Sequence, residues 1–440
     1  MNLAKHSSRF YCAAFAVALF AATSAFAQGP HEKTLYSFQG NNGAYPDGWG
    51  SQAGLTADAN GNLYGTSYQG GTNTTCPCGT VFELSPPTTS GGTWTETILH
   101  SFAGGNSDGA NPAARLIFDK AGNLYGTTSA GGTNNQGTVF ELSPPATSGG
   151  SWTETVLYIF PADGSRGSGP ENIVIADATR GTLIGTTGAG GRGNACLYAP
   201  GGCGVLYRLT PDSSRTVWTQ TVLHNFGMTS SDIFAPANLT LHNNVLYGTA
   251  QKGADGETSL VFQMVHPGGT WSDEVLFEFP GGGSIQSPSA LTFDAAGNIF
   301  GAARSGGGNC VGGCGGIFEL TKSGATWTGT TLYTFTGGKD GQGPIGNLAY
   351  IAGSLYGTTR VGGLKNSFTQ GNGTIFQLSP PSTSGDPWTE TTMHEFGGTH
   401  YNDGSQPFSG LVFVKGKFYG TTNMGGSLGF GTVFSLTIAP

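Results

Sequence analysis

Six cysteines beyond residue 27 fall into three close pairs: Cys76 with Cys78, Cys196 with Cys203, and Cys310 with Cys314. Close thiols either cross-link a loop in an oxidising compartment or hold a metal as thiolates. A thiolate metal site needs a second pair within reach, which this spacing does not offer, so three local disulfides are expected. Aspartates recur as well. Asp108, Asp232, Asp340 and Asp403 each precede a proline by the same interval (Pro112, Pro236, Pro344, Pro407), with Asp47 and Asp163 as looser counterparts. A ring of carboxylates suggests calcium, but that ion takes about six to eight oxygens and each segment supplies one Asp. The expected role is an Asp that caps its own turn through backbone N–H groups. His100, His224 and His394 invite a catalytic reading, yet the same place elsewhere holds Tyr36, Tyr158, Phe277 and Tyr333. A position filled by His, Tyr or Phe is expected to be chosen for flat packing area. The sequence has no serine nucleophile elbow, phosphate loop or zinc-type histidine motif. Neither a metal nor a cofactor is expected.

The elements that position these residues come from internal repetition, which governs the reading of any such chain. Leu63-Tyr64-Gly65-Thr66 returns at Leu124-Tyr125-Gly126-Thr127, Leu183-Ile184-Gly185-Thr186 and Leu246-Tyr247-Gly248-Thr249. Ile299-Phe300-Gly301-Ala302, Leu355-Tyr356-Gly357-Thr358 and Phe418-Tyr419-Gly420-Thr421 complete seven copies, a period of about 59 residues. Each copy is followed by a segment like Gly79–Leu84. A Trp and a Phe then come at a constant even interval: Trp94/Phe102, Trp152/Phe160, Trp218/Phe226, Trp271/Phe279, Trp327/Phe335 and Trp388/Phe396. Even spacing along a strand predicts that Trp and Phe share one face.

One unit reads as four short strands separated by Gly- and Pro-rich turns, with no helical periodicity. The expected architecture is all-β: a seven-bladed β-propeller of four-stranded antiparallel blades. The seventh unit lacks a Trp…Phe strand of its own, whereas Leu35-Tyr36-Ser37-Phe38 near the start matches Leu99-His100-Ser101-Phe102. The N-terminal segment should therefore complete the last blade as its outer strand and close the ring. In such blades the loops between second and third strands share one end with the connections between blades. All the cysteine pairs and Asp segments thus belong to a single face. Four residues on that face stand outside the repeat pattern: Trp49, Arg360, His400 and Tyr401. These are the candidate ligand-binding residues.

Composition agrees with this fold. The chain has 77 Gly, 22 Pro and 27 Phe among 440 residues, and only 10% are charged. That excludes a coiled coil or charged helical bundle and suits an extracellular β protein. A net charge of −8 gives no footprint for nucleic acid or anionic lipid. Lys5 and Arg9, the apolar run Phe10–Ala22 and Ala25-Phe26-Ala27 read as a secretory signal peptide over residues 1–27. Residues 28–440 form one propeller domain, monomeric and exported to the periplasm, cell surface or medium.

The Asn62-Leu63-Tyr64-Gly65-Thr66 and Asn123-Leu124-Tyr125-Gly126-Thr127-Thr128 runs, each followed by Gly-Thr-Val-Phe-Glu-Leu, resemble the choice-of-anchor tandem repeat GloVer proteins of bacteria. The resemblance covers nearly all of the chain after the signal peptide. It implies an exported tandem-repeat protein, often with a sorting signal at the C-terminus, and supplies no enzymatic activity. Here Ala439-Pro440 follow the last strand directly.

Two functions fit. The first is a non-catalytic exported protein that binds a glycan, polymer or surface protein through the loop face. The neutral Gly/Ser/Thr/Asn surface with a few flat aromatics suits an uncharged polymer. The second is a secreted polysaccharide-cleaving lyase or hydrolase, with His400 or Tyr401 as general base and Arg360 as charge stabiliser.

Overall fold

The computed structural model describes residues 31–39, 45–73, 76–147, 149–193, 202–228, 233–252, 258–364, 371–383, 385–398 and 402–438. Within these, seven antiparallel sheets are ordered from an innermost to an outermost strand in chain order. In blade one the strands are Thr56–Ala57, Leu63–Ser67, Thr80–Ser85 and Thr95–Ser101. In blade two the innermost strand is split into Gly109–Pro112 and Ile117–Phe118. Blades one and seven are interrupted likewise, with Tyr45–Trp49 pairing Gln69–Gly71 and Gly404–Ser405 pairing Met424–Gly425. The seventh sheet closes the ring as expected. Val412–Val414, Lys417–Thr422 and Thr432–Thr437 are followed, on the outside, by His31–Ser37. That strand pairs antiparallel from His31 opposite Thr437 to Ser37 opposite Thr432. The first and last described strands thereby pair in one sheet, which closes the ring at the seam.

The repeated residues mostly serve contacts between blades. Seven apolar clusters form the core, each drawing its members from two neighbouring blades. Gly65 must be glycine because a Cβ there would lie 2.6 Å from Cζ of Phe82, on the next strand of its own blade. Thr127 reaches sideways, its hydroxyl donating to the Glu171 carbonyl of blade three at 2.6 Å. Thr358 does the same to the Ser409 carbonyl at 2.8 Å.

The outer strand departs from the even-spacing expectation. Phe102 stacks edge-on against Phe140 of the following blade, whereas Trp152 packs against Tyr64 of the preceding one. Trp and Phe of one strand therefore lie on opposite faces, not the same face. The cause is a bulge. Pairing of the third and fourth strands slips between Val81 and Phe82, and the same slip occurs in every blade. One extra residue reverses side-chain parity. The result lets a single strand contact both neighbours.

No helix among the described residues is long and apolar enough to cross a membrane. The proposed signal peptide, residues 1–27, lies outside the described residues.

Candidate functional site

On the loop face each inter-blade connection turns through a residue with positive φ before entering the next blade: Asn111, Ala235, Ser287 and Gln406, with glycine at 50, 169 and 343. In six of the seven its N–H donates to the carbonyl of the residue two before the third strand of the preceding blade, whereas Ser287 donates to the Ser259 hydroxyl at 2.9 Å. Asn111 bonds the Cys78 carbonyl at 2.7 Å, Ala235 that of Cys203 at 3.0 Å, and Gly343 that of Cys314 at 2.9 Å. One cysteine of each pair thus sits where two blades are fastened, and all three are buried. Cys76–Cys78 and Cys310–Cys314 are disulfides within their loops. Cys203 is also disulfide-bonded, and its expected partner Cys196 lies outside the described residues.

The aspartates cap turns, as expected, and do more. Asp108 accepts N–H bonds from Ala103 and Gly109, both at 2.6 Å, and lies 3.3 Å from His100 Nε2. Asp403 accepts from Gly397 and Gly404 and stands 2.9 Å from His394 Nε2. Asp47 and Asp340 accept bonds from the hydroxyls of Tyr36 and Tyr333 at 2.8 and 3.1 Å. The reading of these His and Tyr positions as flat packing alone is therefore corrected: their polar tips hold the next connection. Asp47 belongs fully to the set.

A third member comes from the outer strand of the following blade: Glu96 beside Asp47, Glu154 beside Asp108, Glu390 beside Asp340, and Glu32 beside Asp403 and His394. Burial, with the adjacent Asp, pushes Glu32, Glu154 and Glu390 up to about 7 and Glu96 up to about 8. The exception explains the rule. Where Phe277 replaces His or Tyr, the connection has no Asp and the Glu position is Gly329, whose missing Cβ would collide with the Phe277 ring. In the joint between blades two and three, Tyr158 donates to Gln220 at 3.1 Å. Between three and four, His224 Nε2 is 2.9 Å from Asp273; Asp232 lies outside the described residues.

Two joints, His100/Asp108/Glu154 and Glu32/His394/Asp403, bring three possible metal-ligand atoms within 4.8 Å of one another. The Tyr-bearing joints keep the same layout with a phenol in place of the imidazole. Fastening neighbouring blades accounts for both kinds.

The innermost strands of all seven blades enclose an axial channel of about 980 Å³. Its described lining carries Arg115, Arg304, Gln52, Asn172, Asn238 and Asn347 among Ser, Thr, aliphatic and Phe side chains. Glu171, next to Asn172, stands beside Gly188 with its pKa raised by burial. Arg115 is walled in by the ring yet reached by solvent; desolvation holds its pKa below the ordinary arginine value. Its Nε donates to Thr56 at 3.2 Å. Arg304 and Arg360 occupy corresponding places at the loop-face ends of the second strands of blades five and six. They flank Gly343: Arg304 Cγ and Arg360 Cβ lie 3.8 and 4.0 Å from where a Cβ on that glycine would stand. The Arg360 guanidinium sits 4.7 Å over the ring of Phe408, which lines the mouth.

Of the four candidate residues, Arg360 lies in a strand, Ser354–Val361, not in the loop where the sequence placed it. Trp49 is half-buried in the short strand Tyr45–Trp49 opposite Gln69, on the connection into blade one, with blade seven between it and Arg360. His400 and Tyr401 lie outside the described residues. Sequence reasoning missed Arg304, Arg115 and Phe408. Arg304 was findable, since it follows Gly301 by the same interval as Arg360 follows Gly357.

Similar folds occur among solved structures. A Trypanosoma rangeli sialidase in complex with sialic acid is 12% identical, with a TM-score of 0.43; the match covers 93% of this chain and 59% of the sialidase. The periplasmic gluconolactonase of Pseudomonas aeruginosa is 12% identical, with a TM-score of 0.47 and 89% of each chain covered. An ulvan lyase of polysaccharide lyase family 25 is 11% identical, with a TM-score of 0.49, covering 88% of this chain and 94% of its own. No curated protein matches the sequence. The repeat text itself is matched three times in overlapping stretches, residues 18–199, 91–312 and 242–440. The chain belongs to the Gloeobacter/Verrucomicrobia repeat family.

Proposed function

We propose that the protein is exported after cleavage behind Ala27 and acts as a non-catalytic binding propeller, taking a carbohydrate or comparable polymer at the loop-face mouth of its channel. The observation that carries this reading is the Arg304–Arg360–Phe408 platform. Arg304 makes no hydrogen bond or ion pair among the described residues, and Arg360 rests on an aromatic face. Planar guanidinium groups on strands, with the half-buried Phe408 ring on the connection into blade seven beside them, suit stacking and bidentate hydrogen bonding to a ligand. The amide- and hydroxyl-rich wall behind them offers donors and acceptors in pairs, which matches polyol chemistry. Among the described residues the mouth presents one carboxylate, Glu171, beside Gly188 with its pKa raised by burial. No described histidine or tyrosine lines the channel. Binding is favoured over cleavage because a lone acid lacks the second proton-moving group that cleavage needs. In the alternative, a polysaccharide-cleaving enzyme, His400 or Tyr401 would have to supply that group.

Purified protein titrated against a panel of soluble polysaccharides, read for both affinity and released product, tests this. Binding without product, weakened by Phe408→Ala at an unchanged melting temperature, is expected. Unchanged affinity in that variant would remove the site. Product formation that is lost on changing His400 or Tyr401 would establish the enzyme instead.

A further inference from the structure

The platform and the channel wall differ in charge from the rest of the molecule. The protein carries a net charge of −8, yet the described channel lining carries Arg115 and Arg304. The one carboxylate nearby, Glu171 beside Gly188 on blade three, has its pKa raised by burial, which favours its neutral form. Arg360 Nε is shielded from water and has no acceptor among the described residues. A buried guanidinium N–H left without an acceptor is costly, so the free protein holds an unmet demand for a hydrogen-bond acceptor at this point. Arg304, exposed on the next blade, presents its whole donor fork. Gly343 keeps the space between the two clear. Deeper in, Arg115 uses one donor on Thr56, with no further acceptor among the described residues. Its stem passes 3.7 Å from the place a Cβ on Gly54 would occupy, with Ser409 Cβ and Asn347 Oδ1 at 3.8 and 3.9 Å from the same place. Gly54, with no side chain, thus leaves room for the Arg115 stem beside blade one.

We propose, building on the binding function above, that the ligand is an acidic saccharide chain whose carboxylate or sulfate groups are held by Arg304 and Arg360 at the mouth and by Arg115 within the channel. Guanidinium forks match both oxyanions bidentately. A small inorganic anion would be satisfied by the arginines alone. The Phe408 face and the asparagine-rich wall add surface that only a larger, hydroxyl-bearing ligand uses. This reverses the sequence-based expectation of an uncharged polymer: overall composition describes the outer surface and not the lining of the channel.

The test uses matched pairs that differ only in charge: polygalacturonate oligomers against their methyl esters, alginate against its propylene glycol ester, and dextran sulfate against dextran. The acidic member of at least one pair should bind roughly tenfold or more tighter than its neutral partner, and more weakly as salt rises. Arg304→Gln and Arg360→Gln should each lose roughly tenfold in affinity, with Arg304→Lys recovering part of it. Melting temperatures of all variants are measured alongside. Equal binding of acidic and neutral members would overturn the acidic assignment while leaving polymer binding intact. Binding to no member of any pair, and to nothing in the wider panel, would overturn both. Acid-selective binding that neither glutamine variant weakens would remove the arginines from the site. Sodium sulfate binding as tightly as the oligomers would overturn the saccharide part.

Discussion

The carboxyl joints between blades make the protein's stability depend on pH in a defined direction. Glu154 faces His100 and Asp108 across the interface of blades one and two, and burial raises its pKa from 4.5 to about 7. In the unfolded chain it ionises in the ordinary range. Between those values the folded state holds a proton that the unfolded state has lost, so unfolding releases a proton and stability falls as pH rises. The slope is roughly 1.4 kcal/mol per pH unit for one group at its steepest. Relaxation of a half-buried site lowers the total, leaving roughly 1–3 kcal/mol lost by pH 8. Glu154→Gln mimics the protonated form. Urea unfolding followed by circular dichroism at fixed ionic strength should find variant and wild type equal within about 0.5 kcal/mol near pH 5. At pH 8 the variant should be the more stable by roughly 1–3 kcal/mol. Glu32, Glu96 and Glu390 act in the same direction, so the wild-type curve should decline across the whole window. Asp108 is held below the usual carboxylate range, chiefly by the His100 hydrogen bond set against its burial, and its titration falls below this window. Parallel curves for variant and wild type, or a wild type that gains on the variant toward pH 8, would refute the reasoning.

Three further outcomes follow from the fold. Deleting residues 31–38 exposes the strand Thr432–Thr437 and removes Phe38, fully buried against Phe82; each such side chain is worth about 1.5–3 kcal/mol. The truncated protein should melt lower or aggregate, and an unchanged midpoint would contradict the closure. Gly65→Ala forces a methyl against Phe82 and Leu55 and should cost about 1–3 kcal/mol in a thermal or urea melt. Gly281→Ala, with nothing within 4 Å, serves as a control and should stay within about 0.5 kcal/mol. Non-reducing peptide mapping should recover Cys76–Cys78, Cys196–Cys203 and Cys310–Cys314; a peptide joining two blades would overturn local pairing.

The ring was legible because the repeated residues answer recurring packing demands, some within a blade and some between blades. Glycine lies under an aromatic ring at Gly65 and again at Gly126. Threonine reaches a neighbouring carbonyl at Thr127 and at Thr358. Such demands recur once per turn of the ring, so they print a period on the chain. Closure was legible for the same reason, since Leu35–Phe38 is a displaced copy of the missing strand.

The bulge was not legible. A single slipped pairing leaves spacing along the sequence unchanged while reversing which face a side chain occupies. The joints were hidden differently. His100, Asp108 and Glu154 are spread over two units, and the link between Phe277 and Gly329 emerges only when the units are laid side by side in space. The channel lining was hidden because it does not repeat. At one level of the ring, Gly54, Arg115, Asn172, Asn238, Ala290, Asn347 and Gly410 stand in turn just before a core residue. Positions that vary from blade to blade carry no period, and binding specificity needs that variation.

Crystals of the protein grown with an acidic oligosaccharide test the central claim most directly. The sugar should lie at the loop-face mouth of the channel, an acidic group between the guanidinium groups of Arg304 and Arg360 and a sugar ring against Phe408. A ligand bound elsewhere on the propeller, with those three side chains untouched, would contradict it.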